Sequence, residues 1–423
     1  MTIDDQRPRG IAAFLKSAPN LALVVVAIAA LALIILVAGS PAQYVYDEHF
    51  YLEGAWLLKK GASFHQFLLA PLNTPAGPLY ATIHWLLSPL TGLQAPAIRW
   101  PNLVLFGLGT AACAYALSLW RLENAWMRAA MLFAMPIFWV TAGMALTEIP
   151  AFAFASFCLA ATAWGMTAPE DAPARLWSGF ILGALCLGIA VLGRQPYLPA
   201  VGGFVMIALF APRFRWPAAV AAVVAFAVPL PVFLLWGGLV APNVARVGGF
   251  NLGHGALAFA YMSALVLILA PAYFLDRWKW SLAAGLVVGL IIVLTGGMPA
   301  TIGQGVAAHL PPLLAHLFQL SIAVVLAGGG ASLVVASGAN IWTRRDDRMF
   351  VLMVLLMLGL TSTTAAIVHI FSSRYLMTAF PFALFAVQPF FRPSRCAVAR
   401  LALGALGGYL SLANYLHWVP PVN

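Results

Sequence analysis

Apolar stretches of about 20 residues recur from residue 19 almost to the C-terminus, which is the length a helix needs to cross a hydrocarbon core about 30 Å thick. No polar segment between them is long enough to form a separate soluble domain. Only 8% of the 423 residues are charged and 63% are hydrophobic, whereas a soluble domain carries about 25% charged residues. Bilayer is therefore the solvent. The spans fall near 19–40, 100–119, 126–142, 147–167, 177–193, 196–212, 217–238, 255–274, 280–297, 314–338, 349–370, 375–391 and 398–416, about 13 crossings. The first exceeds a signal-peptide core and lacks a small-residue cleavage site, so it reads as a retained span. The expected fold is an all-α polytopic membrane protein, a single transmembrane domain over residues 1–423.

Placing the N-terminus in the cytoplasm sorts the 22 Lys and Arg unevenly. Only Lys59, Lys60, Arg99, Arg194, Arg246 and Arg374 fall outside, and the rest lie on the cytoplasmic side, as the positive-inside rule requires. The net charge of +10 is thus a topology signal and not a nucleic-acid footprint. Cys113, Cys158, Cys186 and Cys396 lie within or beside apolar spans without CxxC spacing, which favours packing over metal or disulfide roles. Short loops and Ala/Leu-rich spans suggest a bacterial inner membrane.

The longest outer segment, 41–98, is structured by its sequence. Residues 47–60 pattern as an amphipathic surface helix with Phe50, Trp56, Leu57 and Leu58 on its apolar side. Residues 79–90 are too short to span easily and suit an interfacial or re-entrant helix. Pro71 to Pro78 between them form a rigid turn. The Gly/Pro-rich loops 239–254 and 298–313 have the composition of mobile lids.

Of 12 acidic residues, four face outward in this topology: Asp47, Glu48, Glu53 and Glu148. Asp47 and Glu48 follow the first span, and Glu148 opens the fourth. Arg194 and Arg374 sit at the outer ends of spans, where the positive-inside rule disfavours them. Ionisable groups at membrane depth are costly, so they serve a function or pair with one another. Glu53 and Lys59 read as solvated. His49, His65, His84, His254 and His369 have no metal-ligand spacing and suit structural or hydrogen-bonding roles. Gly107-x-Gly109-x-x-Ala112 spells a dinucleotide fingerprint inside an apolar span, and Gly285-x-x-x-Gly289 spells close helix contact; both are packing features. No Walker motif, nucleophile elbow or HExxH is present. The competing class is a transporter or flippase for a lipid-linked or anionic substrate, which should show internal repeats and a midplane site. The sequence shows no repeat, and its charges gather on one face.

Tyr46-Asp47-Glu48-His49-Phe50 resembles the outer-loop acidic motif of the GT-C glycosyltransferases, which use polyprenyl- or dolichyl-phosphate sugars. The chain is most similar to the dolichyl-phosphate-glucose-dependent α-1,2-glucosyltransferase family, through Asp47-Glu48-His49-Phe50, the turn Thr74-Pro75-Ala76-Gly77-Pro78-Leu79-Tyr80, and Gly193-Arg194-Gln195-Pro196. Thr147-Glu148-Ile149-Pro150 looks like a second acidic motif. Ser373-Arg374-Tyr375-Leu376 with Phe380-Pro381 is similar to a late segment of the wider group, which includes the aminoarabinose transferases and protein O-mannosyltransferases.

The resemblance implies a GT-C-like bundle that transfers a sugar from a polyprenyl-phosphate donor to an acceptor hydroxyl on a glycan, lipid or protein, outside the membrane. A lipid phosphate leaves as an anion without a general acid, so one carboxylate base and cations for the phosphate suffice. The motif places the base at Asp47, with Glu48 the alternative. Glu48 and Glu148 would orient hydroxyls, Arg194 and Arg374 grip the phosphate, and Tyr46, Tyr80, Gln195 and Tyr375 contact substrate. One base implies inversion. A divalent metal is compatible with this chemistry, but nothing in the sequence demands one.

Overall fold

The computed structural model describes residues 17–72, 74, 76–241, 249–275, 278–295, 307–367 and 371–417. Pro75, Arg246, His369 and half of the two expected lid loops (242–248 and 298–306) lie outside them. Among the described residues the regular structure is helical throughout, and nine helices are long and apolar enough to cross a membrane. With no water to satisfy peptide groups in hydrocarbon, helices are the form such a chain must take.

The helices that frame the site are α1 (Ala18–Ala38), α2 (Glu48–Lys59), α3 (Leu79–Leu86), α4 (Trp100–Leu119), α5 (Glu148–Met166), α6 (Pro173–Gly193), α7 (Val201–Phe210), α8 (Leu230–Trp236) and α9 (Arg348–Ser362). Hydropathy separates the lipid-facing helix from the central one. The α1 span has a mean hydropathy of 3.3 with 22% of its residues buried, whereas α5 has 1.5 with 72% buried. A helix inside the bundle touches protein on every side and needs small residues more than apolar ones. Helices α5 and α6 approach so closely that a Cβ on Gly179 would stand 2.4 Å from the Gly165 Cα. Gly109 lets α4 meet Phe152 of α5, and Gly285 lets the Trp278–Thr295 helix meet Gly328, so both glycine spellings are packing features. Cys113 and Cys158 are buried, Cys186 is half-buried and Cys396 is exposed.

Two expected spans are broken. Residues 126–142 fold as Ala125–Ala134 and Pro136–Gly143, bent by 77°. Pro136 has no N–H for the helix ladder and forces Met135 into an extended conformation. Residues 375–391 become a 3₁₀ turn (Ser373–Thr378), a seven-residue helix (Phe380–Ala386) and a second 3₁₀ turn (Gln388–Phe390). Pro381 and Pro389 open the last two pieces, and nearly every side chain in the segment is buried. Segments 196–212 and 280–297 appear as the shorter apolar helices Gln195–Phe210 and Trp278–Leu294.

Candidate active site

The segment 41–98 is helical where its pattern predicts, but α2 buries Tyr51, Leu52, Ala55 and Leu58 and leaves Phe50 exposed, and the 79–90 stretch splits into α3 and a single turn at Ser88–Thr91. Tyr46 enters α2 in a left-handed conformation, φ +53°, which turns the chain sharply before Asp47 and Glu48. These neighbours then point to different places.

Glu48 is fully buried and meets Arg99, which precedes α4. Arg99 Nε and Nη2 donate to its two carboxylate oxygens at 2.8 and 2.7 Å. The remaining guanidinium donors reach Ser40 Oγ and the carbonyls of Pro41 and Gln43, so all five N–H groups of Arg99 are used. Glu48 also accepts from the Val45 and Ala145 backbone N–H groups at 2.9 Å. Ala145 is held from both sides, because Tyr80 Oη donates to its carbonyl at 2.6 Å. Asn102 Nδ2 lies within hydrogen-bond distance of the carbonyls of Thr141, Met144 and Leu146. Together Glu48, Tyr80 and Asn102 fix the turn that delivers Glu148 to the start of α5.

Asp47 faces the other way. Its Oδ2 accepts from Arg374 Nη2 at 2.8 Å and from the Tyr51 hydroxyl at 3.4 Å. Arg374 Nε stands 3.7 Å from Glu148 Oε1, and Arg194 Nη2 stands 3.3 Å from the same oxygen. Arg194 Nη1 also donates to Thr147 Oγ1 at 3.2 Å. The four expected residues Asp47, Glu148, Arg194 and Arg374 are thus one neutral chain of alternating charge, drawn from positions 327 residues apart. The rings of Tyr46, Tyr51 and Tyr375 lie 5.3, 5.8 and 5.7 Å from the Arg374 guanidinium, and Tyr375 lies 5.6 Å from that of Arg194. Gln195 is half-buried beside Arg194.

This network is unfinished where the Glu48–Arg99 pair is complete. Arg374 Nε and Nη1, Arg194 Nε and both oxygens of Glu148 are buried without a hydrogen-bond partner. Burial alone would lower the Arg374 pKa, but Glu148, Tyr51, Tyr46 and Asp47 outweigh it and push it up. Burial raises the Tyr51 hydroxyl above its usual value, with Arg374 opposing, so it remains a donor. Among the described residues no three His, Cys, Asp or Glu side chains converge as a metal site.

Arg194 owes its place to Gly77 in the Pro-rich turn. The Gly77 N–H donates to the Gly193 carbonyl at 3.3 Å, and a Cβ there would stand 1.9 Å from the Leu192 carbonyl oxygen. Beside the network is a small recess walled by Tyr51, Gly77, Tyr80, Thr147 and Trp236. Tyr51 and Thr147 belong to both recess and network.

Sequence reasoning missed Arg99, Asn102, Tyr51 and Thr147 as contributors. Asn102 carried a signal, being an amide inside an apolar span. Arg99 carried one too, as an outward arginine, but it reads only as loop charge.

No family model and no curated protein matches the sequence. The solved structures similar to the chain include ArnT from Cupriavidus metallidurans in the apo state, with a TM-score of 0.48 at 15% identity over 93% of this chain and 76% of that one. They also include ArnT from the same organism bound to undecaprenyl phosphate, with a TM-score of 0.46 at 16% identity and the same coverage.

Proposed function

We propose that the chain is a GT-C-type membrane glycosyltransferase that moves a sugar from a polyprenyl-phosphate donor to an acceptor hydroxyl, with its site facing the periplasm of a bacterial inner membrane. The observation that carries this reading is the unfinished network. Arg374 and Arg194 offer buried, unpartnered N–H groups beside a carboxylate that is 29% exposed, Asp47. A phosphodiester supplies the acceptor oxygens these guanidiniums lack, in the bidentate form arginine binds best.

The mechanism follows. The donor phosphate takes Nη and Nε positions on Arg374 and Arg194, weakening the hold of Arg374 on Asp47. Asp47 then accepts the proton of the acceptor hydroxyl as its oxygen attacks the anomeric carbon. The bond from that carbon to the phosphate oxygen breaks, its electron pair leaves on polyprenyl phosphate, and configuration inverts. Tyr51 orients Asp47. Glu148 spaces the two arginines. Glu48, enclosed by Arg99 and two peptide N–H groups, holds the scaffold and not a hydroxyl.

The test uses purified protein in nanodiscs with polyprenyl-phosphate hexoses and an extract of envelope lipids and glycans, reading released polyprenyl phosphate. Asp47→Asn keeps the hydrogen-bonding shape but removes the base, so turnover should fall about 10²-fold or more with folding and donor binding retained. Wild-type turnover in Asp47→Asn would remove the base from Asp47. Donor crossing the bilayer without any polyprenyl phosphate released would overturn the reading in favour of a flippase.

A further inference from the structure

A second recess, open on one side, lies between α5, α6, α7 and α9 and is lined almost wholly by apolar side chains, among them Leu159, Phe204, Leu352, Met353 and Phe382. It sits at the far end of the bundle from the ion network. Its α5 residues are Cys158, Leu159, Thr162, Ala163 and Met166, roughly 15–27 Å along the helix from Glu148 at 1.5 Å per residue. That depth is within the hydrocarbon of the opposite leaflet. Its mouth is where Trp120, Met166, Met349 and Leu356 are partly exposed.

Three arginines are tied to backbone that follows or flanks its lining residues. Arg213 Nη2 donates to the Ala168 carbonyl, two residues beyond Met166. Arg348, next to Met349, donates to the Phe210 carbonyl, three residues beyond Ile207 of the lining. Arg175 donates to the Trp164 carbonyl at 3.1 Å and Thr167 Oγ1 at 3.0 Å. Each guanidinium is fixed by neutral oxygens, and no carboxylate of the described residues pairs with any of the three. Glu170 and Asp171 in the intervening loop are exposed.

We propose that this is a binding site for an anionic diacyl phospholipid of the cytoplasmic leaflet, with one acyl chain in the cavity and the phosphate held by Arg175, Arg213 and Arg348. An apolar recess opening at membrane depth is filled by the solvent it faces, which is lipid tail. The arginines select among lipids, because each charge-assisted hydrogen bond favours an anionic head over a zwitterionic one. The site is separate from the catalytic network and lends the α5–α6 pair stability from the leaflet opposite the chemistry.

The test is native mass spectrometry with thermal unfolding of the delipidated protein in detergent, titrated with phosphatidylglycerol or phosphatidylcholine. The wild type should retain one phosphatidylglycerol about tenfold more tightly than phosphatidylcholine and gain ~2 °C or more in Tm. Gly203→Leu fills the cavity, since a Cβ there meets only the flexible ends of Leu356 and Leu352; it should lose the adduct and the gain with either lipid. Leu356→Trp narrows the mouth from the opposite wall and serves if Gly203→Leu does not fold. The Arg213→Gln/Arg348→Gln variant should keep lipid but lose the preference for the anionic head. Equal retention of both lipids by the wild type, or an adduct surviving in Gly203→Leu or Leu356→Trp, would overturn the proposal. Displacement of phosphatidylglycerol by undecaprenyl phosphate would also overturn it, giving the cavity to the donor's tail.

Discussion

Asp47 and Glu48 are adjacent in sequence and chemically near-identical, yet they end in opposite kinds of ion pair. Glu48 and Arg99 are both 0% exposed, and every guanidinium hydrogen has an acceptor. Asp47 is 29% exposed, and its partner Arg374 has two buried nitrogens without a partner. An incomplete hydrogen-bond set makes a buried charge costly, so the complete first pair reads as a structural joint. On the proposed function, the arginine left incomplete at the same end of the bundle is where a ligand would complete the set. The difference teaches that a charged motif is read by counting satisfied donors and not by counting charges.

The largest effect that could break this comparison is loss of the joint. Arg99→Leu leaves Glu48 buried without its cation, along with Ser40 Oγ and two carbonyls, and should cost about 3–5 kcal/mol of stability. Thermal unfolding in detergent reads it. Adding Glu48→Leu to Arg99→Leu should recover part of the loss, because removing both charges is cheaper than stranding one. Arg374→Leu should cost clearly less, since Asp47 remains in contact with solvent and the buried Glu148 keeps Arg194 as its cation. Equal destabilisation by Arg99→Leu and Arg374→Leu would erase the distinction between joint and site.

A smaller effect sharpens it. Lysine keeps the charge of arginine but offers a point donor in place of a planar fork. Arg374→Lys should weaken binding of a polyprenyl-phosphate sugar by about tenfold to a hundredfold, the loss of one charge-assisted hydrogen bond of about 1.5–3 kcal/mol. Its Tm should barely move. Arg99→Lys should do the reverse, since an ammonium has three donors for a site that uses five. Donor affinity and Tm measured on both variants settle the matter; a falling Tm with unchanged affinity in Arg374→Lys would make Arg374 a second joint.

Much of the candidate site was legible because sidedness restricts where charge can go. Asp47, Glu148, Arg194 and Arg374 were expected as outward charges at span ends, and the structure brings the four side chains together. The different surroundings of Asp47 and Glu48 were not legible. They depend on a turn set by the left-handed Tyr46 and on an arginine 51 residues away, which composition counts only as loop charge. Hydropathy located the apolar segments and missed which were continuous. Residues 375–391 are as apolar as a span, but Pro381 and Pro389 cut them into short buried pieces that carry Arg374 and Tyr375 into the network. A window average cannot separate a helix that faces lipid from a broken segment that faces protein.

His84 extends the comparison to a third buried group, one with no partner at all. It is 0% exposed, lies 4.2 Å from the Tyr80 ring at a tilt of 43°, and neither ring nitrogen has a hydrogen-bond partner. Burial pushes its pKa down from 6.5 to about 3, so it is neutral in the fold. Above pH 6.5 neither the folded nor the unfolded form binds the proton, and His84 is indifferent to pH. As pH falls from 6.5 toward 3 the unfolded chain takes up a proton that the fold refuses, and stability declines by up to about 1.4 kcal/mol per pH unit. Carboxylates titrate in the lower half of this window, so the decisive quantity is the difference between wild type and His84→Phe, which keeps the ring and removes the base. The Tm of His84→Phe should therefore gain on that of the wild type steadily from pH 6.5 to pH 4, with a constant offset above pH 7. Parallel profiles across the whole range would mean that the folded protein protonates His84 near its ordinary value, which requires an acceptor beside the ring and would make this group a completed joint like Arg99.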